Sequence, residues 1–163
     1  MDWDEYFLDI AKTVAKRSKD PSTKVGAVIV DQHRRPVSFG YNGLIQGADE
    51  TKLTLSERPL KYYEVIHSEM NAILFAKTDL TGCTLYVEYA PCVDCLKHVL
   101  QAGITRIVYR QLRVESHKNK NAKSMETATT DDAVIALLES MPHVEAINYT
   151  TGKTYLEELT GKK

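Results

Sequence analysis

Two short runs hold the residues best suited to chemistry, His67-Ser68-Glu69 and Pro91-Cys92-Val93-Asp94-Cys95. Between them they offer one imidazole, two thiols and a carboxylate. Zinc takes nitrogen and sulfur ligands in a tetrahedron. Three protein ligands leave its fourth position open, as in catalytic rather than closed structural sites. Water at such an ion has its pKa lowered to roughly 7. Glu69, two residues past the histidine, then stands ready to carry the proton. The expected zinc ligands are therefore His67, Cys92 and Cys95, and the expected catalytic residue is Glu69.

His-x-Glu followed by Pro-Cys-x-x-Cys is the signature of zinc nucleobase deaminases, in which the glutamate is a general acid/base and not a ligand. Cys-x-x-Cys also occurs as a structural zinc clip or a redox pair. A closed structural site would need a fourth protein ligand, with Cys83 or His98 as the candidates. Cys83 opens an apolar run and reads as a small buried hydrophobe.

The wider composition narrows the class. A chain of 163 residues suits one domain, residues 1–163, with a substantial core. The hydrophobic share of 43%, the charged share of 26% and the net charge of −1 are those of an ordinary globular protein. A nucleic-acid binder usually shows a basic excess or stripe, so a small substrate is favoured over a polymer. A deaminase of RNA or single-stranded DNA would need a basic funnel with stacking aromatics. Three cysteines, two of them in one motif, argue against a disulfide framework and for a reducing, cytoplasmic setting. No signal peptide is evident at Met1-Asp2-Trp3-Asp4-Glu5, and no window is apolar enough to span a membrane.

The elements that must position the motifs follow from periodicity. Trp3, Tyr6, Phe7, Ile10, Ala11, Val14 and Ala15 predict a first helix, opened by a capping box of Asp2 and Glu5, with Trp3 and Tyr6 in the core. Val25 to Val30 is all apolar and predicts a strand buried on both faces. Val37, Phe39 and Tyr41 alternate as its antiparallel partner. Residues 44–61 read as a flap or interface loop. A second helix, from near Ile66 to Lys77, carries His67 and Glu69 in its first turn. Thr84 to Glu88 is a third strand, and Pro91 fits the first position of a third helix that Gly103 closes. Both motifs thus fall at helix N-termini, where N–H groups and the dipole favour thiolate. Ile104 to Tyr109 is a fourth strand, and residues 110–128 form a polar, mobile-looking stretch. A helix capped by Thr129 or Thr130, a fifth strand from Val144 to Tyr149 and a tail helix near 154–160 complete a three-layer α/β/α domain.

The chain resembles the deoxycytidylate (dCMP) deaminase family through Tyr109. The matching pieces include Arg17-Ser18-Lys19-Asp20-Pro21, Val25-Gly26-Ala27, Gly40-Tyr41-Asn42-Gly43, Lys61-Tyr62, His67-x-Glu69-x-Asn71-Ala72-Ile73, Pro91-Cys92-x-x-Cys95 and Gln101-Ala102-Gly103-Ile104. The resemblance implies a cytidine-deaminase-like fold, a five-stranded mixed sheet of order 2-1-3-4-5 flanked by helices. It implies hydrolysis of dCMP to dUMP, the precursor of thymidylate, by a zinc enzyme. It also implies a homohexamer activated by dCTP and inhibited by dTTP, with Mg²⁺ accompanying the triphosphate and no nucleic-acid or membrane partner. Asn42 is implied at the sugar, and Asn42 with Gly43 at the effector pocket. Donors for the substrate phosphate are sought among Arg17, Ser18, Lys61 and Arg113. A turn role for Asn42, a free-nucleoside substrate and a non-catalytic zinc protein are the competing readings. Three departures stand out. Ser68 replaces the family's alanine, with little effect expected. Ile45 replaces a proline, and Asp20 stands where some phage members place a second-zinc cysteine, which argues against a second site.

Overall fold

The computed structural model describes residues 1–113 and 129–163. The part of the polar 110–128 stretch between 114 and 128 lies outside the described residues. Five strands form one sheet: β1 (Gly26–Val30), β2 (Pro36–Tyr41), β3 (Thr84–Tyr89), β4 (Arg106–Gln111) and β5 (Glu145–Asn148). Their order is β2-β1-β3-β4-β5, as expected. β1 runs antiparallel to both β2 and β3, while β3, β4 and β5 are mutually parallel. The parallel pairs need long crossovers, and helices supply them.

Alternation along the strands divides the core in two. Ala27, Ile29, Leu85, Val87, Ile107 and Tyr109 face one side, where they meet α3 (Ser68–Phe75), α4 (Val93–Gln101), α5 (Thr130–Ser140) and α6 (Tyr155–Thr160). Val28, Val30, Tyr86 and Val108 face the other side and meet α1 (Trp3–Ala15). A short α2 (Leu60–Glu64) leads into α3. The molecule is thus a three-layer α/β/α arrangement. The N-terminus of α1 is tied down by Arg106, whose two terminal nitrogens each lie 2.7 Å from an Asp4 oxygen, and by the Tyr86 hydroxyl at 2.8 Å.

Four local expectations change. Trp3 and Tyr6 are half exposed, and α1 instead buries Phe7, Leu8 and Ala11. The Asp2 carboxylate accepts from the Glu5 N–H, which is one half of the expected capping box. In β2 the alternation is real but its phase is inverted: Phe39 and Tyr41 point outward, while Ser38 and Gly40 are buried. The reason is close contact with α3. The Ser38 hydroxyl donates to the Ala72 carbonyl at 2.7 Å, and a Cβ on Gly40 would collide with the Ser68 carbonyl oxygen and the Ala72 amide nitrogen. Only glycine lets helix and strand approach that closely. Finally, α4 begins two residues after Pro91, with Cys92 as its N-cap. Gly103 follows the C-cap Ala102 at φ +90°, which is the left-handed closure expected of it. No helix among the described residues is long and apolar enough to cross a membrane.

Candidate metal centre and active site

His67 and Cys92 occupy equivalent places, each the N-cap of a helix, with extended backbones at ψ 155° and 167°. An N-cap side chain commonly folds back onto the helix N–H groups. The His67 ring makes no such cap and turns instead toward the cysteines. Cys95 lies one turn into α4 on the same face as Cys92. The result is a convergence across 25 and 28 residues of chain: His67 Nδ1 lies 3.6 Å from Cys92 Sγ and 3.4 Å from Cys95 Sγ. All three donor atoms lie within 4.8 Å of one another.

Those distances test the metal reading. Zn–N and Zn–S bonds of about 2.1 and 2.3 Å at a tetrahedral angle put nitrogen and sulfur about 3.6 Å apart. The residues present therefore fit a shared zinc ion in their nitrogen–sulfur spacing. Among the described residues this is the one His/Cys/carboxylate cluster with that convergence, and neither Cys83 nor His98 joins it. The Cys83 thiol is buried in the core, and His98 Nδ1 turns to the Asp94 carbonyl at 2.6 Å.

Protons are shared unevenly among the three donors. The Cys92 thiol is drawn well below the ordinary thiol range, first by a hydrogen bond with Cys95 and then by His67. Cys95, as the donor to that thiolate, is pushed up. The His67 imidazole is raised, mainly through Cys92, with the negative Glu69 adding to it and Arg113 opposing it. A cation there would replace the shared protons and satisfy both sulfurs. Glu69 is 5% exposed in the first turn of α3. The Ser68 hydroxyl donates to Glu69 Oε2 at 3.1 Å. Sequence reading treated Ser68 as silent. The one available signal was a hydroxyl standing beside the key carboxylate.

The remaining expected site residues divide sharply. Ser18, Asn42 and Lys61 are buried and engage one another's segments, with Asp20 at the hub. Lys61 Nζ lies 2.9 Å from Asp20, Asn42 Oδ1 accepts from the Val25 N–H at 2.8 Å, and Asn42 Nδ2 donates to the Thr23 carbonyl at 2.9 Å. The Ser18 hydroxyl donates to the Asn42 carbonyl at 2.8 Å. Asp20, read above as arguing against a second metal site, is thus one partner of a buried ion pair. Arg17 and Arg113 are exposed. Arg113 bears electrostatically on His67 and Cys95. Arg17 instead lines a groove of about 350 Å³ with Tyr41, Asn42, Gly43, Ile45 and Asn71, and that groove does not include the three soft donors.

Comparison with known proteins gives a consistent picture. Residues 1–111 match the family model described as cytidine and deoxycytidylate deaminase zinc-binding region. An uncharacterized deaminase from Aliivibrio fischeri is 46% identical over 105 residues, which is 64% of this chain and 70% of that one. The human deoxycytidylate deaminase is 41% identical over 115 residues, covering 67% of this chain and 65% of its own length. Among solved structures, a dCMP deaminase from cyanophage S-TIM5, in complex with dCMP and dUMP, superposes with a TM-score of 0.56 at 27% identity. That match covers 67% of this chain and 81% of the phage protein.

Proposed function

The chain belongs to the cytidine and deoxycytidylate deaminase family, and from that premise we propose that it is a zinc-dependent hydrolase converting dCMP and water to dUMP and ammonia. The observation that carries the reading is the convergence of His67, Cys92 and Cys95 beside a buried Glu69. In this reading His67, Cys92 and Cys95 hold the ion. When bound, zinc supplies a Lewis-acidic centre that brings a water proton within reach at neutral pH. Glu69 takes that proton at its carboxylate. It delivers that proton to N3 of cytosine as the C4–O bond forms, then takes the remaining hydroxyl proton and passes it to the amino group, so that the C4–N bond breaks, ammonia leaves and C4 keeps a carbonyl. Ser68 orients Glu69 through Oε2.

Of the five residues considered for the nucleotide, Arg113 best suits the substrate phosphate, because its charge reaches the metal residues. Arg17 faces the groove beside Gly43 and suits the phosphates of an effector. Asn42, Ser18 and Lys61 act by shaping the loop between them, with the Asn42 backbone and Gly43 bordering both nucleotides. The 163 residues work as one deaminase domain in a cytoplasmic homohexamer that supplies thymidylate synthesis. In that assembly dCTP, held with Mg²⁺, favours the active arrangement and dTTP opposes it. Each effector can shift the population only by its differential affinity, typically about 1–3 kcal/mol.

A substrate panel tests this. The zinc-loaded protein is offered cytosine, deoxycytidine, CMP, dCMP and dCTP, and ammonia release is followed with and without dCTP or dTTP. The expected outcome is that kcat/KM for dCMP far exceeds that for deoxycytidine, since charge-assisted contacts to phosphate are strong. Sigmoidal kinetics should become hyperbolic with dCTP. Equal kcat/KM for the nucleoside would overturn the phosphate assignment. Hyperbolic kinetics indifferent to both triphosphates would overturn the regulation alone.

A further inference from the structure

We infer that Tyr155 is a positioning residue for the metal loop, its hydroxyl holding the Pro91 carbonyl so that Cys92 and Cys95 stay aimed at His67. This rests on the zinc reading above. Tyr155 Oη donates to the Pro91 carbonyl at 3.0 Å, across 64 residues of chain, and its side chain is 5% exposed. Pro91 immediately precedes the N-cap Cys92. Proline has no N–H, so its carbonyl is the only backbone group by which this residue can be held. On the other side of it, the Ala90 N–H donates to the Gln111 carbonyl at 2.9 Å. The approach to the ligands is therefore pinned from two elements, β4 and α6.

Tyr155 can serve as an anchor because it is itself fixed from several directions. It is the first residue of α6, capped by a reciprocal Thr154–Glu157 box. One turn on, Glu158 accepts from the Tyr109 hydroxyl at 2.6 Å, the Asn148 amide at 2.8 Å and the Thr151 hydroxyl at 3.0 Å. The Tyr109 and Tyr155 rings lie 5.5 Å apart at 60°. Leu156 and Leu159 pack against the main core. This ties the metal loop to a stable block rather than to a loose tail. All of this block but Tyr109 lies beyond residue 111, where the family match ends. A segment outside the matched region thus takes part in holding the ligands that lie inside it. Groups that orient metal ligands from behind typically change metal affinity 10–100-fold when removed.

The test compares Tyr155→Phe, which keeps the ring and deletes the donor, with Thr154→Ala, which weakens the α6 cap but keeps the hydroxyl. Full-length protein is loaded with zinc, and transfer of zinc to an excess of chromophoric chelator is timed. Cobalt substitution gives a second readout in its thiolate charge-transfer band. Tyr155→Phe is expected to release zinc about tenfold faster and to shift the cobalt band. Thr154→Ala should release zinc close to the wild-type rate. Wild-type release from Tyr155→Phe would overturn the inference while leaving the zinc reading intact. So would equal acceleration in Thr154→Ala, or loss of cooperative unfolding in metal-free Tyr155→Phe, since either would make the residue merely structural. A wild-type chain that takes up no zinc would overturn the zinc reading itself and this inference with it.

Discussion

Two polar clusters in this molecule look alike in composition and differ in what they leave open. Around Asp20, the side chains of Ser18, Asn42 and Lys61 are buried, and each has hydrogen-bond or ionic partners within the fold. Around His67, one nitrogen and two sulfurs converge on one another, with the Cys95 N–H also bearing on the Cys92 sulfur. Buried polar groups must be paired to be tolerated, and the first cluster meets that demand internally. The second meets it largely by sharing protons among soft donors, with one thiol drawn down and its neighbour pushed up. A saturated cluster is architecture, whereas a convergent set of donors is a binding site. Residue type alone does not separate the two, because serine, asparagine and lysine are also what a nucleotide site would use.

Substitutions can test that contrast, and the largest effects belong to the open cluster. Cys92→Ala should fail to hold stoichiometric zinc, as read by metal analysis after dialysis. Glu69→Gln should keep its zinc and its fold yet lose turnover by roughly 10²–10⁴-fold, the usual share of general acid–base catalysis. Near-wild-type turnover in Glu69→Gln would refute its role as proton carrier.

The closed cluster should respond in stability rather than chemistry. Lys61→Met leaves Asp20 as a buried charge without its cation, for which about 3–5 kcal/mol of destabilisation is typical, measurable by urea unfolding. Burial tends to raise the Asp20 pKa, but the Lys61 hydrogen bond and the Thr23 and Ser22 N–H groups outweigh it, so the net shift is downward from 3.8. A carboxylate lowered in the folded state stabilises above its unfolded value, and that stability is lost as pH falls through the folded value. The deficit of Lys61→Met should therefore be full at neutral pH and shrink as the solution is acidified below about 3.8. A pH-independent deficit would mean that lost packing, not the ion pair, dominates. If Lys61→Met instead leaves stability unchanged and raises KM for dCMP, the closed cluster is a substrate site after all.

The smallest effect should come from Lys19→Ala. Its partner Glu50 lies 3.1 Å away, but the two side chains are 72% and 52% exposed. Such surface pairs contribute roughly 0–1 kcal/mol and are screened by salt. A larger loss would show that the 3-10 turn at Glu50–Lys52 is coupled to the buried Asp20 beside Lys19.

The sequence by itself determined the parts of this protein that depend on short-range geometry. Two residues stand between Cys92 and Cys95, and one stands between His67 and Glu69. At a helix N-terminus the three-residue step from Cys92 to Cys95 puts both sulfurs on one face whatever surrounds them. The strands and their all-apolar or alternating character were legible for the same reason. Tertiary structure decided the rest. Alternation in β2 was visible, but which face is covered depended on α3 pressing against Gly40, so Phe39 and Tyr41 turned outward. Helical periodicity placed Trp3 and Tyr6 on an apolar stripe, and only the width of the contact with β1 and β3 left them half exposed. The pairing of Lys61 with Asp20 spans 41 residues and that of Tyr155 with Pro91 spans 64. Pairings that distant are chosen by how the whole chain closes and packs, and local periodicity carries no record of them.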